Sequence, residues 1–166
     1  MVGYRALDVP ESIHRGMPSA WLTFIVSLDD GVRAAPTAEA LETATPNPLV
    51  LGGLHMSAAY VRQHHAQAGV QLAVHPLASR ALFGVPSAEL SLTDFAAVDV
   101  LGVEAAALPE RTAANRRWPD IFATVADYLT TARRQRDVEA VRPEVALAWH
   151  LLERSQGRIP VGALAN

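Results

Sequence analysis

The chain has 166 residues and a mass of 17.8 kDa, which is the size of one domain with at most a short appendage. Half of its residues are hydrophobic and 19% are charged, so the composition excludes a disordered chain. Cysteine is absent, which excludes disulfides, thiolate metal sites and a cysteine nucleophile. No apolar run approaches the ~18 residues of a transmembrane helix, and the N-terminus lacks a secretory signal. We therefore expect a cytoplasmic protein with no membrane partner.

The net charge of −3 hides a gradient along the chain. Residues 1–110 carry 5 Arg and 11 acidic residues, whereas residues 111–166 carry 9 Arg and 6 acidic residues. A basic C-terminal segment after an acidic one is typical of a sensor joined to a module that faces nucleic acid. A helix with a solvated arginine face explains the same charges.

The first part of the chain, residues 1–76, predicts β structure. Residues 21–28 are rich in β-branched and aromatic residues, with Leu22, Phe24, Val26 and Leu28 on one face, and end at Asp29-Asp30-Gly31, a sequence typical of a tight hairpin turn. Residues 49–51 and 70–74 are further strand candidates, and 58–65 is assigned as a strand, although its short apolar signal also allows a helix. Several short strands at this spacing predict an antiparallel β-barrel or sandwich.

Residues 77–140 predict helices, so the expected fold class is α+β. One short helix runs from Leu77 to Phe83 and ends at Gly84, and another covers Val103–Ala113. The clearest helix extends from about Pro119 to Arg136, and the last spans about Pro143 to Arg154. This helical part completes the predicted N-terminal domain.

An apolar stripe marks the helix that begins near Pro119. Its members recur at helical spacing and are Trp118, Phe122, Val125 and Leu129. A stripe this wide must be buried, either on the chain's own β core or on a second subunit. The second alternative makes the four residues candidates for a homodimer interface.

Several segments between about residues 10 and 165 carry a resemblance to a known family. Pro143–Leu152, followed by Ser155-Gln156-Gly157-Arg158-Ile159-Pro160-Val161 and Ala163-Leu164-Ala165, resembles the start of the DNA-binding domain of AraC-type (arabinose-operon regulator) transcription factors. The N-terminal segments Gly69–Leu77 and Ala81–Leu90 resemble the sensing domains of some members.

The resemblance implies a cupin-like sensing and dimerisation domain at residues 1–140 and an incomplete helix-turn-helix domain at 141–166. It also implies a homodimer, a small-molecule effector, no cofactor and no enzymatic activity. DNA would then be bound only through C-terminal helices that follow Asn166 in the family and are missing here.

The chemistry-bearing residues support a binding pocket better than a catalytic centre. A small barrel can hold one small ligand, and an apolar wall with a few polar groups is the usual lining. The candidate ligand-binding residues are Trp21, Phe24, His55, Tyr60, Gln71 and His75. Plain core packing explains the first two equally well.

Enzymatic alternatives rest on few residues. Histidines at 55, 75 and either 64 or 65 are the ligand set of a rival function, a small cupin-like metalloenzyme. Ser79, Ser87 and Ser91 are expected in caps or turns, and Glu89 with Asp94 are expected to be capping carboxylates rather than an acid/base pair.

A third alternative is a stand-alone truncated regulator that forms mixed dimers with full-length partners.

Overall fold

The computed structural model describes residues 1–90 and 96–164. The predictions made for Ser91, Asp94, Ala165 and Asn166 lie outside these ranges. The chain divides into two compact units, Met1–Arg136 and Asp137–Asn166. The predicted domain boundary between residues 140 and 141 lies within the second of these units.

The first unit contains two antiparallel sheets, which confirms the α+β class with antiparallel β structure before the helices. A four-stranded sheet has the order β1-β7-β3-β5, and a three-stranded sheet has the order β2-β6-β4. The strands are β1 (Val2–Ala6), β2 (Ser12–Gly16), β3 (Leu22–Ser27), β4 (Arg33–Ala35), β5 (Leu49–Gly52), β6 (Ala59–Gln63) and β7 (Gln67–Val74). The described strands form no closed barrel, because the edge strands of one sheet do not pair with those of the other.

Six helices are described. They are α1 (Ala38–Leu41), α2 (Ser79–Phe83), α3 (Ala97–Leu101), α4 (Leu108–Ala113), α5 (Trp118–Gln135) and α6 (Pro143–Arg154). Short 3₁₀ turns cover Pro76–Ala78, Ser87–Glu89, Val103–Ala107 and Val161–Ala163. The helix α2 ends at Gly84 with a φ of +84°, as its predicted C-cap requires. No helix in the described part of the chain is both long and apolar enough to cross a bilayer.

The central strands separate two apolar layers. Successive side chains of a strand point to opposite faces, so Leu22, Phe24 and Val26 of β3 pack against the helices, while Ile25 points the other way. On that second face Ile25 meets residues of the three-stranded sheet in a smaller apolar cluster. The first unit is therefore layered as helices, four-stranded sheet and three-stranded sheet.

The predicted hairpin after β3 is wrong. Gly31 does adopt a positive φ of +99°, but β3 pairs with β5 and β7 and not with β4. The turn carries the chain from one sheet to the other, and Asp29 makes hydrogen bonds within it. Its carboxylate accepts hydrogen bonds from the Ser27 hydroxyl at 2.5 Å and from the backbone N–H of Ala68 at 2.5 Å.

The stripe on α5 packs on the chain's own sheet. Val125 is fully buried and Leu129 is 7% exposed, and both belong to the core cluster built on the four-stranded sheet. Trp118 and Phe122 are half-buried, stack with ring centroids 5.7 Å apart, and pack against the same cluster. Of the two alternatives for this stripe, the structure shows packing on the parent β core, which leaves Val125 and Leu129 no surface to offer a second subunit.

One glycine makes this packing possible. Gly3 lies on β1 beneath the indole ring of Trp118, and a Cβ at position 3 would overlap that ring. The absence of a side chain thus lets α5 approach the edge of the sheet. The guanidinium of Arg5 also lies 5.9 Å from the centre of a Trp118 ring.

We predict that Gly3→Val lowers the free energy of unfolding by about 1–3 kcal/mol through overpacking against the indole. Chemical denaturation of the variant measures the loss. In a Trp118→Ala background the same substitution is expected to cost much less, because the colliding ring is gone. An equal loss in both backgrounds would show that Gly3 is not constrained by Trp118.

Candidate functional site

The six predicted ligand-binding residues do not line one pocket. Phe24 is fully buried on the helix side of the four-stranded sheet, 5.5 Å from Phe83 by ring centroids. Gln71 is exposed on the other side of the same sheet. Tyr60 lies in the three-stranded sheet, on the face opposite to Ala59 and Val61, which contribute to the inter-sheet cluster. Phe24 is therefore core, and Tyr60 and Gln71 lie on different surfaces.

Trp21 and His75 are brought together. Leu22 pairs with Val74 across β3 and β7, so the residues just outside this pair meet at one end of the sheet. The rings of Trp21 and His75 form an edge-to-face pair with centroids 5.5 Å apart. The Nδ1 atom of His75 accepts a hydrogen bond from the backbone N–H of Leu77 at 3.2 Å, which caps the following 3₁₀ turn and fixes the imidazole.

The loops around this pair form what we call the loop end. Residues 17–21 join β2 to β3 and residues 53–58 join β5 to β6, and the strand pairings place both loops beside His75. His55 belongs to the second loop, where its Nδ1 lies 2.6 Å from the carbonyl oxygen of Ser57. Trp21, His55 and His75 are thus the predicted ligand-binding residues that share one surface.

The loop end also exposes large apolar side chains that the sequence reading missed. Met56 is 99% exposed, Met17 is 71% exposed, and Leu54 is 38% exposed, beside Trp21 at 42%. Large apolar residues inside turns rich in Gly, Pro and Ser are the signal that could have identified them. These residues lie in two loops at the same end of the sheets, and exposed apolar patches are typical of binding surfaces, so the loop end is the candidate functional site.

The histidines proposed as metal ligands lie too far apart to converge. His64 and His65 precede β7 and His75 follows it, and a strand of eight residues is roughly 26 Å long. His65 Nδ1 lies 2.9 Å from the carbonyl oxygen of Val9, and His64 Nδ1 lies 3.6 Å from the Glu11 carboxylate. Among residues 1–90 and 96–164, no group of three His, Asp or Glu side chains could hold a metal ion.

Of the described serines that were expected in caps or turns, Ser87 lies in a turn, whereas Ser79 lies inside a helix whose N-cap is Ala78. Ser87 and Glu89 lie in one 3₁₀ turn. Ser79 is the first residue of α2 and is fully buried, and its hydroxyl has no hydrogen-bond partner in the described part of the chain. Among residues 1–90 and 96–164 no general base is hydrogen-bonded to this hydroxyl, so these residues give it no activation as a nucleophile.

A second tyrosine, Tyr4, lies near the Asp29 turn at the opposite end of the sheet. Tyr4 of β1 covers Gly69 of β7, where a side chain would collide with the phenol. Burial, with a smaller contribution from the negative charge of Asp29, raises the pKa of Tyr4 from 10.0 to about 12. The neutral phenol is therefore the form that the fold stabilises.

This shift predicts a loss of stability at high pH. The folded-state pKa lies above the unfolded value, so the stabilisation is fully present below pH 10 and disappears as the pH rises towards 12. Because the chain has no lysine, few other groups titrate in this range. We expect Tyr4→Phe to make the decline in unfolding free energy across this range shallower, measured by denaturant titrations at successive pH values. If the unfolding free energy declined as steeply in Tyr4→Phe as in the wild type, Tyr4 would not be the group responsible.

The second unit contains α6 and a well-defined turn. Gln156 and Gly157 have positive φ angles of 53° and 74°. The N–H of Gly157 donates to the carbonyl of Leu152 at 2.8 Å, and that of Gln156 donates to Glu153 at 3.0 Å. This pair of hydrogen bonds defines a Schellman motif, which ends the helix and redirects the chain into the 3₁₀ turn Val161–Ala163.

An open groove of about 440 Å³ lies on the surface of this second unit. Its lining residues are His150, Leu151, Arg154, Ser155, Arg158 and Ile159. The guanidinium of Arg158 is held by the side-chain oxygen of Gln156 at 2.5 Å and by the carbonyl of Ser155 at 3.3 Å. The turn thus fixes a cation at the edge of the groove.

Comparisons with protein-family models, curated proteins and solved structures find no match to this chain.

Proposed function

We propose that this chain is the sensing and dimerisation part of an AraC-type transcriptional regulator, joined to the first helix of its DNA-binding domain. The first unit has a regulatory role and no enzymatic one. We further propose that it is a variant of the cupin-like sensing domain in which the barrel is opened into two sheets. It works in the cytoplasm as a homodimer, needs no cofactor, and holds two DNA-binding domains at a defined separation.

The observation that carries this proposal is the turn after α6. A helix, a tight turn through two residues of positive φ, and the start of a further helical turn match the order in which the DNA-binding domain of the family begins, where the first helix and its turn precede the helix-turn-helix. No residue of α6 is fully buried, and Val145 and Leu147 are 37% and 58% exposed. An apolar helix with this exposure suits packing against further helices of a DNA-binding domain.

The charge of the turn agrees with a place beside DNA. Arg154 and Arg158 flank the groove, and Arg158 is already oriented by Gln156 and Ser155. Fixed arginines of this kind contact phosphates, which position a protein on the duplex without reading its sequence. In the family, the sequence-reading helix follows the segment that this one resembles.

The loop end is the place where we propose that an effector acts. It combines an aromatic ring, two imidazoles and exposed apolar side chains, a mixture that suits a small amphipathic molecule. Such a ligand changes transcription only if it binds two arrangements of the dimer with different affinity.

A graft tests the proposed role of the second unit. Residues 141–164 replace the matching segment of an AraC-type regulator with a known operator, whose own groove-reading helices are kept. We expect the operator affinity of the graft to lie within about tenfold of that of the recipient protein. A helix and turn with the correct geometry keep the recipient's groove-reading helix in its position. Gel retardation at fixed salt measures the affinity.

The matched control carries Gly157→Val in the same graft. A β-branched residue is strained at a φ of 74°, so this version should lose operator binding while keeping the same charge. A folded graft that fails to bind, or a control that binds as well as the graft, would refute the proposed helix-turn-helix.

A further inference from the structure

The strand β2 is an edge strand with little cover. It pairs with β6 on one side only, and four of its five residues are exposed. Ile13, at its centre, is 45% exposed. An uncovered edge presents free backbone N–H and C=O groups that can pair with another strand.

The other sheet edges are less suited to pairing with a copy of themselves. A bridge between Val50 and Ala96 occupies β5, and β4 is followed by Pro36 and contacts α1. The β1 strand contains Arg5 but no acidic residue, so it offers no opposite charge to a second β1. The β2 edge, in contrast, carries charges of both signs, at Glu11 and Arg15.

Charges around β2 are arranged for pairing about a two-fold axis. Glu11 immediately precedes the strand and Arg15 lies four residues later, on the same face as Ile13. In an antiparallel pair of β2 strands centred on Ile13, each Glu11 is opposite the Arg15 of the other copy. The two Ile13 side chains then meet at the centre, and Ser12 lies opposite His14.

The alternative register centred on His14 loses this match. It places two imidazoles against each other, and Ile13 opposite Arg15. Because directly opposite charges of unlike sign stabilise a strand pair, the register centred on Ile13 is favoured.

We propose that two copies of this chain associate through β2 in this register, giving a continuous six-stranded sheet across the dimer. The inference deepens the proposed function, because it supplies the interface of the homodimer. A five-residue strand pair alone buries less than the ~1,000 Å² of a stable interface, so the association is weak and reversible. Such a dimer can respond to an effector or to DNA.

Charge reversal provides the test. Sedimentation equilibrium at low ionic strength gives the dimer dissociation constant of the full chain and of Glu11→Arg and Arg15→Glu. Each variant creates two like-charge contacts per dimer, so each should raise the dissociation constant by about tenfold or more. The double variant, and an equimolar mixture of the two single variants, restore both opposite-charge contacts and should restore dimerisation. The charge reversal Arg116→Glu, remote from β2 in sequence, serves as the control.

Cross-linking gives an independent result. The chain has no cysteine, so Ile13→Cys introduces a single thiol that meets its own copy at a separation suited to a disulfide. We expect this variant to oxidise to a covalent dimer, while Arg116→Cys stays monomeric.

Three results would overturn the pairing. The first is a wild-type chain that is monomeric at every concentration measured, and the second is a dimer whose dissociation constant changes with neither charge reversal. The third is a loss of dimerisation that neither the mixture nor the double variant restores. A dimer that ignores the charges would leave the proposed regulatory function standing, since the graft tests that function separately.

Discussion

Val125→Asp is expected to unfold the first unit. Val125 is fully buried between α5 and the four-stranded sheet, in a cluster made of apolar side chains. A carboxylate placed there has no cation or donor to compensate for its lost hydration, so we expect the free energy of unfolding to fall by about 4 kcal/mol or more. Circular dichroism and denaturant titration measure this change.

Ala126→Asp is the matched control, since Ala126 is the next residue of α5 and is exposed. It should change the stability by about 0.5 kcal/mol or less. If α5 instead paired two subunits, Val125→Asp would give a folded monomer of nearly normal stability. That outcome would contradict the packing described here.

Phe24→Ala is expected to lower the free energy of unfolding by about 3–5 kcal/mol, because it leaves a cavity beneath Phe83 in the core. Trp21→Ala, in contrast, should cost about 1 kcal/mol or less, since Trp21 is 42% exposed and its ring packs edge-to-face on the His75 ring. Thermal or chemical denaturation of the two variants separates core from surface.

The difference in expected stability loss between these two variants tests which of the two residues belongs to the candidate functional site. Trp21 belongs to the loop end and Phe24 to the core, although the sequence placed both in one candidate pocket. A small loss for Phe24→Ala together with a large loss for Trp21→Ala would reverse these assignments.

Periodicity was sufficient for the elements with a regular apolar pattern. It predicted α5 within about a residue at each end, α6 with the observed bounds, and the inward set Val70, Leu72 and Val74 of β7. These segments bury one continuous face, so their pattern reflects their structure directly. The strand over residues 59–63, which the apolar signal alone left open, is also confirmed.

The strands without a buried face escaped prediction. β2 has four exposed residues, and β1 contacts α5 through a glycine, so neither shows alternating hydrophobicity. The hairpin expected after β3 failed for a related reason. Gly31 supplies the positive φ that a tight turn needs, but the next strand joins the other sheet by pairing with β6, a long-range contact that no local pattern encodes.

The candidate site was predictable only in part. Trp21 and His75 meet because Leu22 pairs with Val74, and no local pattern encodes that register. His64 and His65 were separated from His75 by the length of β7, which becomes decisive only once residues 67–74 are seen as one strand. Sequence reading therefore found residues of the right type but not the surface they share.

The most direct test of the proposed dimerisation is whether the chain brings two DNA-binding domains together in a cell. The full chain is fused to a monomeric DNA-binding domain that represses a reporter only when it is dimerised, and reporter output is measured. The account predicts repression, loss of repression with Arg15→Glu, and its return when Glu11→Arg is added to the same chain. Repression no stronger than that of the unfused domain, from a fusion shown to be folded and expressed, would contradict it.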